Sequence, residues 1–266
     1  MISRERASAI AHGDRRHHHP IGSEPIETII GLLPLAAGER VLDVGCGRGE
    51  LLLRIAELTG ASGFGVDLAE DQIAIARAEA EARIPDGRVR FEALDARRLA
   101  EPEGSLALAA CVGSTHALGG LQTTLERLVP LIRPDGCLLV GEGFWAQKPS
   151  ADLLRTLGDA AEEELTSYAE LLAAGEPHGL QPVYATRATA QDWDGYEWAD
   201  VLNADRYARE HADEEGVELL RDRVEFGRRR RLLAAAEGEA LGFALVVWRR
   251  LPDAERQPAA RDLGNP

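Results

Sequence analysis

Two rhythms of apolar and polar positions alternate along the first half of the chain. Short apolar runs at residues 41–44, 62–66, 89–94, 106–112 and 138–142 have the length and composition of buried strands. Between them, apolar residues recur every three or four positions. This spacing predicts helices over 25–35, 50–59, 69–83 and 121–132. In the third of these, Ile73, Ala76, Ala80 and Ile84 share one face, and Ser23 is placed to cap the first. The last stops at Pro134-Asp135-Gly136, a turn signal. Strands separated by helices of this length form βαβ units with right-handed crossovers. The expected architecture is therefore an α/β, Rossmann-like, doubly wound and mostly parallel sheet.

The second half reads differently. A long acidic helix is expected over 150–174, then a turn at Gly179 and a strand over 182–189. A tryptophan-rich stretch, QDWDGYEWAD, leads into one or two charged helices, and a final strand covers 241–248. The expected organisation is a disordered leader over 1–20, a single domain over 21–251 and a disordered tail over 252–266. Lid elements are expected at 150–178 and 192–236.

The first strand opens into VLDVGCGRGE, with Gly45, Gly47 and Gly49 at alternate positions. This loop lies at the carboxyl edge of a parallel sheet, where open α/β sheets bind ligands. It lacks the G-x-G-x-x-G spacing of a dinucleotide loop, because Glu50 stands where the last glycine would be, and no Gly-Lys-Ser/Thr follows. A carboxylate there opposes a phosphate, so the loop favours a ligand with little negative charge. The next strand ends at Asp67, placed to accept ribose hydroxyls. The third is followed by Leu94-Asp95-Ala96, where an acid can accept from an adenine amino group. With Asp43 nearby for a cationic group, these features describe S-adenosylmethionine.

Asp43-x-Gly45-x-Gly47-x-Gly49, Asp67 and Asp95 resemble the cofactor motifs of class I S-adenosylmethionine-dependent methyltransferases over residues 40–139. The resemblance implies a seven-stranded sheet with an antiparallel last strand, supplied by 241–248. It also implies that Asp43, Gly45, Gly47, Gly49, Asp67, Leu68, Asp95, Ala96 and Cys111 surround S-adenosyl-L-methionine. Gly113-Ser114-Thr115, the run 141–145 and the run 193–197 resemble a bacterial small-molecule branch of that family, which carries proline where this chain has Gly143.

Methyl transfer to a nitrogen or oxygen by in-line displacement rests mainly on alignment, which alone supplies ~7–11 kcal/mol. A base helps only if the acceptor carries a proton. His116 follows the fourth strand and could be such a base, since imidazole exchanges protons near neutral pH; the alternative is a histidine that caps the next helix or bonds backbone. Glu142 ends the fifth strand and is either a base or ammonium partner, or a buried acid paired with a structural residue. Tyr196 is a further catalytic candidate. Trp145 and Trp193 are candidates for contact with the small-molecule acceptor, because aromatic faces beside carboxylates hold cations. The alternative is that these rings fill a core. Among acceptors, nitrogen stands slightly ahead of oxygen.

Composition narrows the partners. A formal net charge of -15 repels a nucleic-acid backbone, and Arg228–Arg231 reads as a solvated helix face among acids. No apolar run approaches the roughly 18 residues a membrane span needs. Three cysteines without metal-type spacing point to a reducing, cytoplasmic setting. His17, His18 and His19 read as polar leader, so no metal is expected. Two other functional readings stand beside the methyltransferase: a nicotinamide-dependent oxidoreductase, and a non-catalytic S-adenosylmethionine-binding module.

Overall fold

The structure, a computed structural model, describes residues 1–252. The expected disordered tail, apart from Pro252, lies outside the described residues. The chain divides into two compact units. One, the sheet unit, comprises Ser23–Glu142, Ala169–Thr186 and the described residues from Ala244 onward. The other, the helical unit, comprises Met1–Gly22, Gly143–Tyr168 and Arg187–Phe243.

The sheet has seven strands: β1 (Arg40–Val44), β2 (Ser62–Asp67), β3 (Val89–Ala93), β4 (Leu106–Val112), β5 (Ile132–Trp145), β6 (Leu180–Arg187) and β7 (Leu241–Arg250). Their order is β3-β2-β1-β4-β5-β7-β6. The pairings from β3 through β5 are parallel. β7 runs antiparallel to β6: Leu251 N–H donates to Gly179 at one end, and Ala188 N–H to Phe243 at the other. It also opposes β5, because Ala146 N–H donates to Ala240 while Arg250 reaches the Ile132 carbonyl. This is the expected mixed sheet.

Burial explains the apolar runs. Leu42, Val44, Leu108, Ala109, Ala110, Leu138 and Val140 are all buried, as strands covered on both faces require. Helix α3 (Glu50–Thr59) buries Leu52, Leu53 and Ile55, and α4 (Glu70–Arg83) buries Ile73, Ala76 and Ala80. In the order of the chain, α1 (Arg4–His12) and α2 (Ser23–Leu32) precede these, and α5 (Leu121–Leu128) follows. Trp248 on β7 is fully buried, and its indole N–H donates to the Leu172 carbonyl at 3.0 Å.

Several expectations are corrected. The turn signal at 134–136 lies inside β5, where Asp135 takes φ 61° and the pairing with β4 shifts register between Leu106 and Leu108. The strand absorbs the turn as a bulge. The long acidic helix is broken into α6 (Ala151–Thr156) and α7 (Tyr168–Ala173), because Gly158 (φ 85°) and Asp159 (φ 58°) leave helical space. The tryptophan-rich stretch is itself helical, within α8 (Ala190–Glu210); α9 (Glu218–Glu237) follows. The leader expected to be disordered contains α1, capped by Ser3, whose hydroxyl accepts from Arg6 N–H at 3.2 Å. Ile2, Ala7 and Ala11 are buried with Ala204, Ala208, Val217 and Leu220. Burying one isoleucine side chain contributes about 1.5–3 kcal/mol, which helps offset the entropy of ordering the segment.

Candidate cofactor and active site

β1 is the point where the sheet order reverses, with β2 on one side and β4 on the other. Crevices at such a point take ligands. Asp43 sits there, in register with Gly65 of β2 and Ala110 of β4. The glycine loop follows. Gly45 N–H and Cys46 N–H both donate to the Val66 carbonyl, at 2.8 and 3.1 Å, tying the loop to β2. Gly45 takes φ 70°, and a side chain there would run into Ser114. Gly47 takes φ 51°, and a Cβ added to it would meet nothing within 4 Å. The loop thus approaches Ser114 at one glycine and faces open space at the next. Glu50, expected to repel a phosphate, begins α3 and pairs with Arg83 at 2.6 Å. Its charge is offset, so the case against a dinucleotide rests on glycine spacing.

Asp67 is held by two backbone donors. Gly47 N–H donates to Oδ2 and Ala69 N–H to Oδ1, each at 2.9 Å. A carboxylate has about four acceptor positions, so both oxygens keep capacity for further donors. Asp43 is 3% exposed and has no hydrogen-bond donor among the described residues. Burial, and then the nearby Asp67 charge, push its pKa up to about 7. A buried carboxylate without a donor fits a cationic ligand group. Leu68 beside Asp67 is exposed, whereas Ala96 and Cys111 are buried. Burial pushes the Cys46 and Cys111 thiols up, so neither is an activated nucleophile. Asp95 caps the 3-10 turn Ala96–Arg98, and Arg97 grips it at 2.7 Å, holding its pKa down at about 2. Its oxygens are shared with Arg97 rather than free, as an adenine acceptor would be.

His116 lies on the 3-10 turn Thr115–Leu118 and is exposed. It caps nothing: Gly120 is the N-cap of α5, without a side-chain bond. Glu142 does not end the fifth strand as expected, since β5 runs on to Trp145; it is half-buried within β5, and the buried Thr115 hydroxyl donates to its Oε2. Ser114 and Thr115 were legible as a Gly-Ser-Thr run but not by role. Their position after β4, beside the switch point, is the signal that marks them.

Trp145, Trp193 and Tyr196 belong to the helical unit. Trp145 packs with Leu153 and Ala240, and its indole N–H donates to Glu162 at 2.7 Å. The guanidinium of Arg230 lies 5.0 Å from the Trp193 ring centre, and that of Arg15 lies 4.4 Å from Tyr196. The cations on these faces are thus the protein's own. Tyr196 Oη is 3.3 Å from His12 Nε2, and burial pushes its pKa up to about 12. The arginine run is not the solvated face expected: Arg230 and Arg231 are buried. Arg231 bridges Glu197, Glu239 and Asp194, and Arg230 meets Glu197 at 3.0 Å. The acids on α8 and after α9 draw the two arginines inward. Burial pushes the Glu197 carboxyl up and the Arg230 guanidinium down. Among the described residues no group of histidines, cysteines or acids is arranged to hold a metal ion. His19 instead stacks on Phe243, with ring centres 5.5 Å apart.

Comparison with known proteins bears on this geometry. A methyltransferase-domain family model matches residues 41–136. The uncharacterised protein YjhP of Escherichia coli strain K12 is 30% identical over 91% of this chain and 98% of its own. A SAM-dependent methyltransferase from Geobacter sulfurreducens, solved with S-adenosyl-L-homocysteine, is 32% identical. That alignment covers 93% of this chain and 99% of the other, with TM-score 0.82. The chain belongs to the S-adenosylmethionine-dependent methyltransferases. The nicotinamide-dependent reading is thereby set aside. Another relative of this methyltransferase is the 27-O-demethylrifamycin SV methyltransferase of Amycolatopsis mediterranei, 29% identical over 85% of this chain and 82% of that one. No helix among the described residues is long and apolar enough to cross a membrane.

Proposed function

We propose that the sheet unit holds S-adenosylmethionine around the Asp43–Asp67 crevice and that the protein methylates an oxygen of a small molecule. The observation that carries this is the pair of carboxylates: Asp43, buried without a donor, and Asp67, fixed by Gly47 and Ala69 with acceptor capacity to spare. Asp43 suits the ammonium group and Asp67 the ribose hydroxyls. The open space at Gly47 suits close approach of the main chain; Leu68, Ala96 and Cys111 complete the proposed cofactor shell, and Asp95, which Arg97 already engages, contributes to it only through acceptor positions that Arg97 leaves. When bound, the cofactor supplies a methyl carbon activated by a positive sulfur.

Oxygen is favoured over nitrogen for two reasons. Trp193 and Tyr196, expected to hold an amine, already face arginines, and a relative matched over 82% of its length is named as a methyltransferase of 27-O-demethylrifamycin SV. An alcohol or phenol carries a proton that must leave. Glu142, held by the Thr115 hydroxyl, and His116 are the groups offered to take it. Trp145, Trp193 and Tyr196 are assigned to packing of the helical unit, with any acceptor contact secondary. Free cysteines fit a reducing cytoplasm, and the inward turn of Arg230 and Arg231 removes half of the basic run that a nucleic acid would need. The test is incubation of the protein with S-adenosylmethionine and a panel of phenols, alcohols and amines, with mass-spectrometric detection of methylated product. Oxygen methylation supports the reading. Methylated amines alone would refute the oxygen assignment, and cofactor binding without turnover on any acceptor would favour the non-catalytic module.

A further inference from the structure

The chain treats the two carboxylates of the crevice unequally. Asp67 accepts the Gly47 and Ala69 N–H groups. Asp43 receives no donor, and the reason is local. Its partners in register are Gly65 and Ala110, which carry no polar side chain. The amides that follow it in the loop are committed elsewhere: Gly45 and Cys46 donate to the Val66 carbonyl, and Gly47 donates to Asp67. The titratable groups around it come from several elements. Asp67 ends β2, and its charge acts on Asp43 directly. The Cys46 thiol in the loop and the Cys111 thiol on β4 both feel Asp43, but burial pushes them up and they stay neutral. Glu142 on β5 acts on Cys111 rather than on Asp43, and Glu50 on α3 is paired with Arg83. Among the described residues no cation offsets Asp43. A buried carboxyl without a donor, beside a charged carboxylate, keeps its proton, because a second like charge in a poorly solvated site is strongly disfavoured.

We propose that Asp43 is the residue that selects for the cofactor's ammonium group, and that it is a neutral acid in the free protein which gives its proton to solvent when that group binds. The exchange balances: a neutral acid and an ammonium become a carboxylate–ammonium pair and one proton in the buffer. The pair is a charge-assisted hydrogen bond, the strong class, and it forms only with the ionised acid. This inference rests on the assignment of the cofactor to the Asp43–Asp67 crevice. The sign follows from linkage. Asp43 ionises at about 7 in the free protein, so affinity rises with pH up to neutrality and levels off above it. A ligand with the same adenosine but no ammonium gains nothing from ionised Asp43, so its affinity does not rise with pH.

The test is calorimetry of the full chain with S-adenosyl-L-homocysteine and with 5′-methylthioadenosine, which keeps the adenosine but lacks the amino acid part. Between pH 5.5 and 7.5 the affinity for S-adenosyl-L-homocysteine should rise about 25-fold, while that for 5′-methylthioadenosine stays within about twofold. At pH 6, titrations in phosphate and in Bis-Tris, whose ionisation heats differ, should show about 0.9 proton released per S-adenosyl-L-homocysteine bound. Asp43→Asn should remove both the pH dependence and the release. It keeps every other titrating group, so the difference isolates Asp43. The proposal alone is overturned if S-adenosyl-L-homocysteine binds with an affinity constant within about threefold over that range, or if fewer than about 0.2 protons are released at pH 6. It is equally overturned if 5′-methylthioadenosine shows the same rise, or if Asp43→Asn retains it. Absence of binding by both compounds at every pH overturns the cofactor assignment and the proposal together.

Discussion

Asp43 makes the stability of this protein depend on pH in a direction opposite to that of most carboxylates. Its pKa rises from an ordinary 3.8 to about 7 on folding, through burial first and the Asp67 charge second. Below pH 4 both the folded and unfolded chains hold the proton, and Asp43 costs nothing. As pH rises, the unfolded chain gives up the proton while the folded one keeps it, so stability falls by about 1.4 kcal/mol per pH unit. The loss ends near pH 7, where the folded carboxyl also ionises, and totals about 4 kcal/mol. Asp43→Asn stays neutral throughout. Urea unfolding of both proteins at pH 5, 6, 7 and 8 isolates the effect, because every other titrating group is common to the two. The variant should gain on the unmodified protein by about 2 kcal/mol between pH 5 and 7, and by only a few tenths more up to pH 8. A difference that stays constant within about 0.5 kcal/mol across that range would refute the reasoning, since one unit of pKa shift is already about 1.4 kcal/mol.

Other consequences are equally direct. Arg231→Met should destabilise the protein by about 3–5 kcal/mol, read by urea unfolding, because Glu197 is left buried beside a single remaining arginine. Gly45→Ala should weaken S-adenosylhomocysteine binding at least tenfold by calorimetry, since the added methyl drives into Ser114 and φ 70° strains alanine. His116→Ala should lower turnover more than cofactor affinity, and the reverse pattern would mean that the residue shapes the cofactor site.

Much of the fold is readable from local pattern because the buried sheet is built from short-range signals. The helix expected at 50–59 and the strand at 106–112 have the observed bounds, since each is an apolar face ended by glycine or a turn. The failures lie where distant residues decide. The leader is ordered by small residues of α8 that its own sequence does not announce. Arg231 turns inward because Glu197 and Glu239 reach it from separate segments. The acidic stretch after 150 has helical propensity, but Gly158 and Asp159 divide it, a local signal outweighed in the expectation by its charge pattern. In the site, the carboxylates and glycines announce themselves because each ends a strand at the same sheet edge. The Thr115–Glu142 bond joins the turn after β4 to β5 and shows only once β4 and β5 are known to be neighbours.

The central claim is that Asp67 and its backbone donors form the cofactor's anchor, and calorimetry with S-adenosyl-L-homocysteine tests it most directly. The unmodified protein should bind one molecule per chain. Asp67→Ala should lose about 3 kcal/mol of binding, roughly 150-fold, the lower bound for two charge-assisted bonds. Absence of binding to the unmodified protein, or an Asp67→Ala affinity within threefold of it, would contradict the account.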